Sequence, residues 1–174
     1  CTMTAQFARE TGRRGEFVRQ PNRFTDRITA DGSSGWQVEP GRYRLVWSRA
    51  CPWAHRAVIV RRLLGLEDAI SLATVDPIRD EAGWRFTLDE GGVDPVLGIR
   101  YLSEAYLATD PTFDGRVTVP CLVDTRSGRV VTNDYPQITL DFSTEWTAFH
   151  RPDAPDLYPA ELRDEIDAVN EVVF

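Results

Sequence analysis

The chain has 174 residues, 42% of them hydrophobic and 27% charged, which is enough apolar material for a sizeable core and excludes global disorder. Its 20 basic residues, all Arg, face 27 acidic ones for a net charge of −7, arguing against nucleic acid as the main partner. No apolar run approaches the ~20 residues of a membrane span.

That charge is unevenly spread: residues 1–62 carry 12 Arg and 5 acidic residues, whereas 63–174 carry 8 Arg and 22 acidic residues. The absence of Lys has a sufficient source in GC-rich coding. Three cysteines (Cys1, Cys51 and Cys121) do not make a secreted disulfide framework. No stretch near Cys1 has the order of a signal peptide, so a reducing cytoplasm is the expected compartment.

Residues 1–41 are polar and rich in Arg and Gly, with isolated aromatics at Phe7, Phe17, Phe24 and Trp36, and read as an extended arm wrapping a core. Arg42–Ser48 alternates, with Tyr43, Leu45 and Trp47 on one face, as a strand does. Pro52 then opens a helix at the position where its missing N–H costs nothing. Trp53, Ala57, Val60 and Leu64 follow at helical spacing, and Gly65 supplies a left-handed cap.

A second strand is expected at Ile70–Val75. The segment from Asp76 to Gly115 is long, irregular and acidic, which points to a functional loop, with a short helix near Arg100–Ala108. Val117–Val123 and Arg129–Thr132 read as a hairpin across Ser127 and Gly128. Asp134 with Gln137 resembles a capping box, and Pro136, Ile138, Phe142 and Trp146 carry the next helix. After prolines 152, 155 and 159, Leu162, Ile166, Val169 and Val173 form an apolar stripe that runs to Phe174 without a cap. Both ends look cut. The order β-α-β, excursion, β-β-α is that of a thioredoxin-like α/β domain. Its expected limits are 1–41 for the arm, 42–148 for the domain, 149–160 for a linker and 161–174 for the start of a truncated helical domain.

Cys51 lies between strand and helix, immediately before Pro52. Unpaired N–H groups and the positive end of the helix dipole point at a sulfur in that position, favouring thiolate over the ordinary thiol of pKa ~8.5. Arg42, Arg44, Arg49 and Arg56 are near in sequence and add to the expected field. A dithiol redox protein has a second cysteine two residues on, where this chain has Ala54, so Cys51 works alone and an external thiol must resolve its mixed disulfides. Cys121 alternates with Val119 and Val123 as a core residue does. His55, one turn beyond Cys51, is open to orienting the sulfur or to packing and capping. Only His55 and His150 are present, so neither a cysteine-protease pair nor a zinc spacing emerges, and no metal is expected.

The run Arg49, Ala50, Cys51, Pro52, Trp53, Ala54, His55, Arg56 closely resembles the active-site motif of glutathionyl-hydroquinone reductases, the Xi-class, omega-like glutathione S-transferases. Gly41-Arg42-Tyr43, Gly83-Trp84 with Phe86, the run Gly115 to Pro120, and Asn133 extend the likeness along most of the chain. The resemblance implies a thioredoxin-like domain followed by an all-helical one, glutathione as co-substrate, and a homodimer. It also implies attack by Cys51 on the sulfur of a glutathionyl-hydroquinone, then release of the enzyme by a second glutathione. On this likeness Pro120 is a cis proline and Val119 pairs its backbone with the glutathione cysteinyl group. Trp84 covers the glutathione, and Asp134 and Tyr135 take the place of the Glu-Ser pair that holds its γ-glutamyl end. Trp53, His55 and Arg56 are supporting residues. Tyr135 and the shorter Asp134 depart from the family pattern and leave another low-molecular-weight thiol open. Loop packing for Trp84 and plain helix capping for Asp134 are the structural alternatives. An omega-like thioltransferase or dehydroascorbate reductase is the neighbouring function, and an inert thioredoxin-like interaction domain the non-enzymatic one.

Overall fold

The computed structural model describes residues 10–173; Cys1, Phe7 and Phe174 lie outside the described residues. Four strands form a mixed sheet in the order β4-β3-β5-β6. They are β3 (Tyr43–Ser48), β4 (Ile70–Val75), β5 (Cys121–Asp124) and β6 (Val130–Thr132). β3 pairs parallel with β4 from Tyr43 against Ile70 to Ser48 against Val75, and antiparallel with β5. A parallel neighbour requires a crossover, which α1 (Pro52–Leu63) supplies. The β5–β6 hairpin then completes the thioredoxin-like layout expected from the element order.

Both faces of the sheet are covered, so its strands are apolar on both sides. On one face Tyr43, Leu45 and Ile70 pack with Ala57 and Val58 of α1 and with Ile138 and Phe142 of α3 (Tyr135–Thr144). On the other, Val46, Ala73, Cys121 and Val123 pack with Leu102, Ala105 and Tyr106 of α2 (Leu102–Thr109). The α1 face differs from the expected one. Ala54, Ala57, Val58 and Arg61 are buried, whereas Trp53 is 45% exposed. Gly65 adopts φ +72° after the helix, and a Cβ there would meet Arg151 Cβ at 2.8 Å.

Two further expectations are corrected. The strand expected from Val117 begins only at Cys121, because Val119-Pro120 is a cis peptide and Pro120 has no N–H for a ladder. The capping box at α3 does not form: Asp134 is the N-cap residue without a side-chain cap bond, and Gln137 Nε2 donates instead to Asp141 at 2.8 Å.

The arm is more structured than an extended wrap. It contains a parallel pair, β1 (Ile28–Thr29) and β2 (Trp36–Gln37), and Thr25 bridges Thr132 along the outer edge of β6, whose residues are buried. Phe24 N donates to Asn133 Oδ1 at 3.1 Å, Asn133 N donates to Phe24 O at 3.0 Å, and Arg27 grips Asp141 at 2.6 Å. The long loop is tied back to β3 by a buried pair: Arg44 donates to Asp94 at 3.0 and 2.7 Å. The last helix, α4 (Arg163–Val173), buries none of its residues, and its stripe residues Val169 and Val173 are exposed. Among the described residues no helix is long and apolar enough to cross a membrane.

Candidate thiol site at the start of helix α1

Cys51 is the N-cap residue of α1, with extended backbone (φ −101°, ψ 109°) and Pro52 at the first helical position. Its Sγ lies 3.4 Å from the carbonyl oxygen of Val119, so the strand-to-helix turn faces the cis Val119-Pro120 bond. That segment is held from behind. Tyr106 Oη donates to Thr118 O at 2.9 Å, and Asn133 Nδ2 donates to Thr118 Oγ1 at 2.9 Å. From the arm side, Gln20 exchanges two bonds with the backbone of Arg116, at 2.6 and 2.7 Å. Among the described residues the Val119 N–H finds no acceptor. A backbone donor beside a half-buried sulfur is thus left available for an extended ligand.

Cys51 sits in a cleft of about 360 Å³. One wall is Ala50, Pro52 and Trp53 from the start of α1; a second is Pro77, Arg79 and Trp84 from the long loop. The run 116–119 forms the third, and Glu10, Phe17 and Arg19 of the arm close the rim. Trp84 is only 9% exposed and carries Arg79 on its face, with Cζ 5.0 Å from the ring centroid. Arg19 lies over two rings, 4.7 Å from that of Tyr135 and 5.8 Å from that of Trp53.

The expected site residues separate into groups. Cys51, Trp53, Trp84 and Val119 share the cleft, and Pro120 adjoins it through the cis bond. Tyr135 is buried behind Trp53 and Arg19, with ring centroids 6.4 Å apart, and does not line the cleft. Asp134 does not line it either; its carboxylate accepts from Asn22 Nδ2 at 3.4 Å. His55 turns from the sulfur: Nε2 lies 2.8 Å from Arg49 O and the ring packs on Trp47, which favours the capping and packing role. Arg56 points to α4, where Nη2 lies 3.5 Å from Asn170 Oδ1.

The source of the positive field also differs from expectation. Arg42 is paired with Asp124 and Arg44 with Asp94, both near the end of β3 remote from Cys51. The cations in the cleft are Arg19, Arg79 and Arg116, and Glu10 pairs with Arg116. Arg116 falls in the Gly115–Pro120 run, whereas Glu10, Arg19 and Arg79 carry no local motif; the arm, the long loop and the segment before Pro120 supply them, and only tertiary folding gathers them.

Cys121 behaves as the core residue expected: it is fully buried, and burial pushes its thiol pKa far up. Among the described residues no cluster of three or more His, Cys, Asp or Glu is arranged to hold a metal ion.

The family model "Glutathione S-transferase, N-terminal domain" matches residues 50–145. The glutathionyl-hydroquinone reductase PcpF of Sphingobium chlorophenolicum is 40% identical over 163 residues, covering 92% of this chain and 50% of that protein. A glutathione transferase from Gordonia bronchialis is 58% identical with a TM-score of 0.83, over 85% of this chain and 46% of that one. The glutathione-bound structure of YqjG, a glutathione transferase homologue from Escherichia coli, is 39% identical with a TM-score of 0.77, over 85% of this chain and 50% of that one. The chain therefore spans about half the length of the curated relatives it matches.

Proposed function

The chain belongs to the glutathione S-transferase family, and from that premise we propose that it is the thiol-binding half of a glutathione-dependent oxidoreductase that reduces glutathionyl-hydroquinones through Cys51. One observation carries the reading: Cys51 Sγ stands 3.4 Å from Val119 O, beside the cis Pro120 and a Val119 N–H that has no acceptor among the described residues, with no cysteine at position 54. Relatives named as glutathionyl-hydroquinone reductases support it, and a glutathione-bound relative of the same fold supports glutathione as the co-substrate.

In the first step the Cys51 thiolate attacks the glutathione sulfur of the conjugate. A Cys51–glutathione disulfide forms and the aryl carbon–sulfur bond breaks. The bonding electrons stay with the aryl carbon, which takes up a proton and leaves as hydroquinone. In the second step a glutathione thiolate attacks the glutathionyl sulfur, forming glutathione disulfide and returning Cys51 as thiolate. The sum converts conjugate and one glutathione into hydroquinone and glutathione disulfide, with atoms and electrons balanced. The helix N-terminus favours the anionic sulfur in both steps.

Val119 would pair its backbone with the cysteinyl unit, and Trp84 would cover the bound thiol. Tyr135, which packs under Arg19 and beside Trp53, and Asp134 next to it would hold the amino end. Trp53 shapes the rim beside the sulfur, whereas His55 and Arg56 act through packing. The working form in this reading is a cytoplasmic homodimer in which a helical half of the full protein supplies the remainder of the electrophile pocket.

The test is turnover of a glutathionyl-hydroquinone by the full protein and by Cys51→Ala, with intact mass recorded after the first step. We expect a glutathione adduct on Cys51 and loss of at least about 10³-fold in rate on its removal. Activity that survives Cys51→Ala would overturn the mechanism. Turnover of simple mixed disulfides without hydroquinone release would assign the protein to the omega-like thioltransferases.

A further inference from the structure

Two aromatic side chains of the cleft are left bare. Phe17 is 74% exposed and Trp53 45% exposed although both line the space around Cys51, whereas Trp84, under Arg79, is only 9% exposed. Among the described residues Phe17 belongs to neither of the apolar clusters that cover the sheet. Its place is nonetheless set by a small hairpin in the arm. Thr11 bridges Phe17 in antiparallel fashion, Gly12 N donates to Glu16 O and Val18 N donates to Glu10 O, both at 2.8 Å, and Gly15 makes the turn at φ +82°. Both feet of the hairpin stand on Arg116, through the Glu10 ion pair and the two bonds that Gln20 exchanges with the Arg116 backbone. A hairpin fastened at both ends thus holds an apolar ring in water at the cleft, which is unfavourable until another apolar surface covers it.

The reaction proposed above supplies such a surface. Displacement at sulfur requires the attacking sulfur, the attacked sulfur and the departing atom to lie close to one line. With Cys51 on one side of the conjugate's sulfur, the departing aryl carbon lies on the other, away from Cys51 and toward the mouth of the cleft, where the arm forms the rim. Aromatic rings pack on one another edge-to-face or offset, and a bare Phe and a half-bare Trp offer both geometries. We propose that Phe17, together with Trp53, packs on the aryl ring of the conjugate and makes the cleft selective for aromatic over small leaving groups. The proposal rests on the reading that Cys51 attacks the sulfur of an aryl conjugate. It gives the arm hairpin, which that reaction leaves without a role, a share in the choice of substrate.

The experiment measures binding to the full protein by isothermal titration calorimetry, with S-phenylglutathione and S-methylglutathione as probes. Both are thioethers that a thiolate does not cleave, so the measurement is independent of turnover. Wild type is expected to bind the phenyl probe about tenfold more tightly than the methyl one, the effect of covering one aromatic ring. Phe17→Ala is expected to reduce that preference to about threefold or less by weakening the phenyl probe alone, and Phe17→Tyr, which keeps the ring, is expected to retain it. A wild-type protein that does not distinguish phenyl from methyl overturns the proposal without any variant. So does a preference that survives Phe17→Ala or is lost in Phe17→Tyr, and so does Phe17→Ala weakening both probes equally, which is the mark of a merely structural role. Absence of hydroquinone release would sink the proposed reaction but not this contact, and a lack of aryl preference would leave Cys51 chemistry standing.

Discussion

Replacing Asp94 by Asn probes how the loop that carries Trp84 and Arg79 is anchored. The Asp94 side chain is fully buried and that of Arg44 is 9% exposed, so the pair lies outside the regime in which ion pairs contribute little. Asp94 Oδ2 accepts from Arg44 Nε and Nη2 at 3.0 and 2.7 Å, while Oδ1 accepts from the N–H groups of Val96 and Leu97 at 3.0 and 2.7 Å. Asparagine can keep the two turn bonds through its carbonyl, but its amide nitrogen then faces the guanidinium. Arg44 is left as a buried, uncompensated charge, which costs about 3–5 kcal/mol. For a chain of this size that lowers the melting temperature by roughly 10 °C. The assay is urea and thermal unfolding followed by tryptophan fluorescence, with amide exchange at Asp94, whose N–H donates to Ile99 O at 2.9 Å, as the local readout. The double change Arg44→Met with Asp94→Leu removes both charges and should recover most of the loss. An Asp94→Asn protein within about 1 kcal/mol of wild type would refute the anchoring argument, because a pair so easily broken would have to be solvated.

Two further predictions concern the other titratable groups. Brief alkylation of the native protein at neutral pH should label Cys51 and spare Cys121, whose thiol is pushed up by complete burial; peptide mapping reads the two apart, and labelling of Cys121 at a comparable rate would contradict the core assignment. The Asp124 carboxyl lies below the usual carboxylate range: burial opposes this, but hydrogen bonds from Ser127 and the Arg42 guanidinium outweigh it. A depressed carboxyl contributes stability above its unfolded pKa of about 4 and loses it as pH falls through the lower folded value. Asp124→Asn should therefore flatten the fall of melting temperature below about pH 4, and an unchanged acid slope would show that other carboxylates govern it.

Strand β3, helix α1 and strand β4 were readable because their signals are local: alternation, a helix-opening Pro52, Gly65 as a stop, and an apolar run of strand length. The position of Cys51 followed from the same signals. The edge of β5 was missed because an alternating pattern continues from Val117, and alternation cannot report that the chain turns through a cis bond at Pro120. Trp53 was expected inside because it falls on the helical period of Ala57, but the first turn of α1 lies at the cleft, where one face meets ligand space rather than core. For His55 spacing leaves orienting and packing equally open, and the structure sets its Nε2 2.8 Å from the carbonyl oxygen of Arg49, since spacing alone does not say toward which neighbour a ring turns.

The charge asymmetry illustrates the same limit. An Arg-rich first third around Cys51 suggested a field made by sequence neighbours. In the fold those arginines reach the acid-rich remainder instead: Arg23 to Asp110, Arg27 to Asp141 and Glu145, Arg42 to Asp124, and Arg44 to Asp94. The two charge populations thus fasten the arm and β3 to the segments that follow. The pair of reversed order, Glu10 with Arg116, lies at the cleft itself. There, among the described residues, the arm contributes Glu10 and Arg19 beside Arg79 and Arg116, so the positive balance in the cleft of Cys51 comes from tertiary placement. A neutralising change at Arg42, which would leave the buried Asp124 carboxylate without its guanidinium partner, should therefore lower the melting temperature.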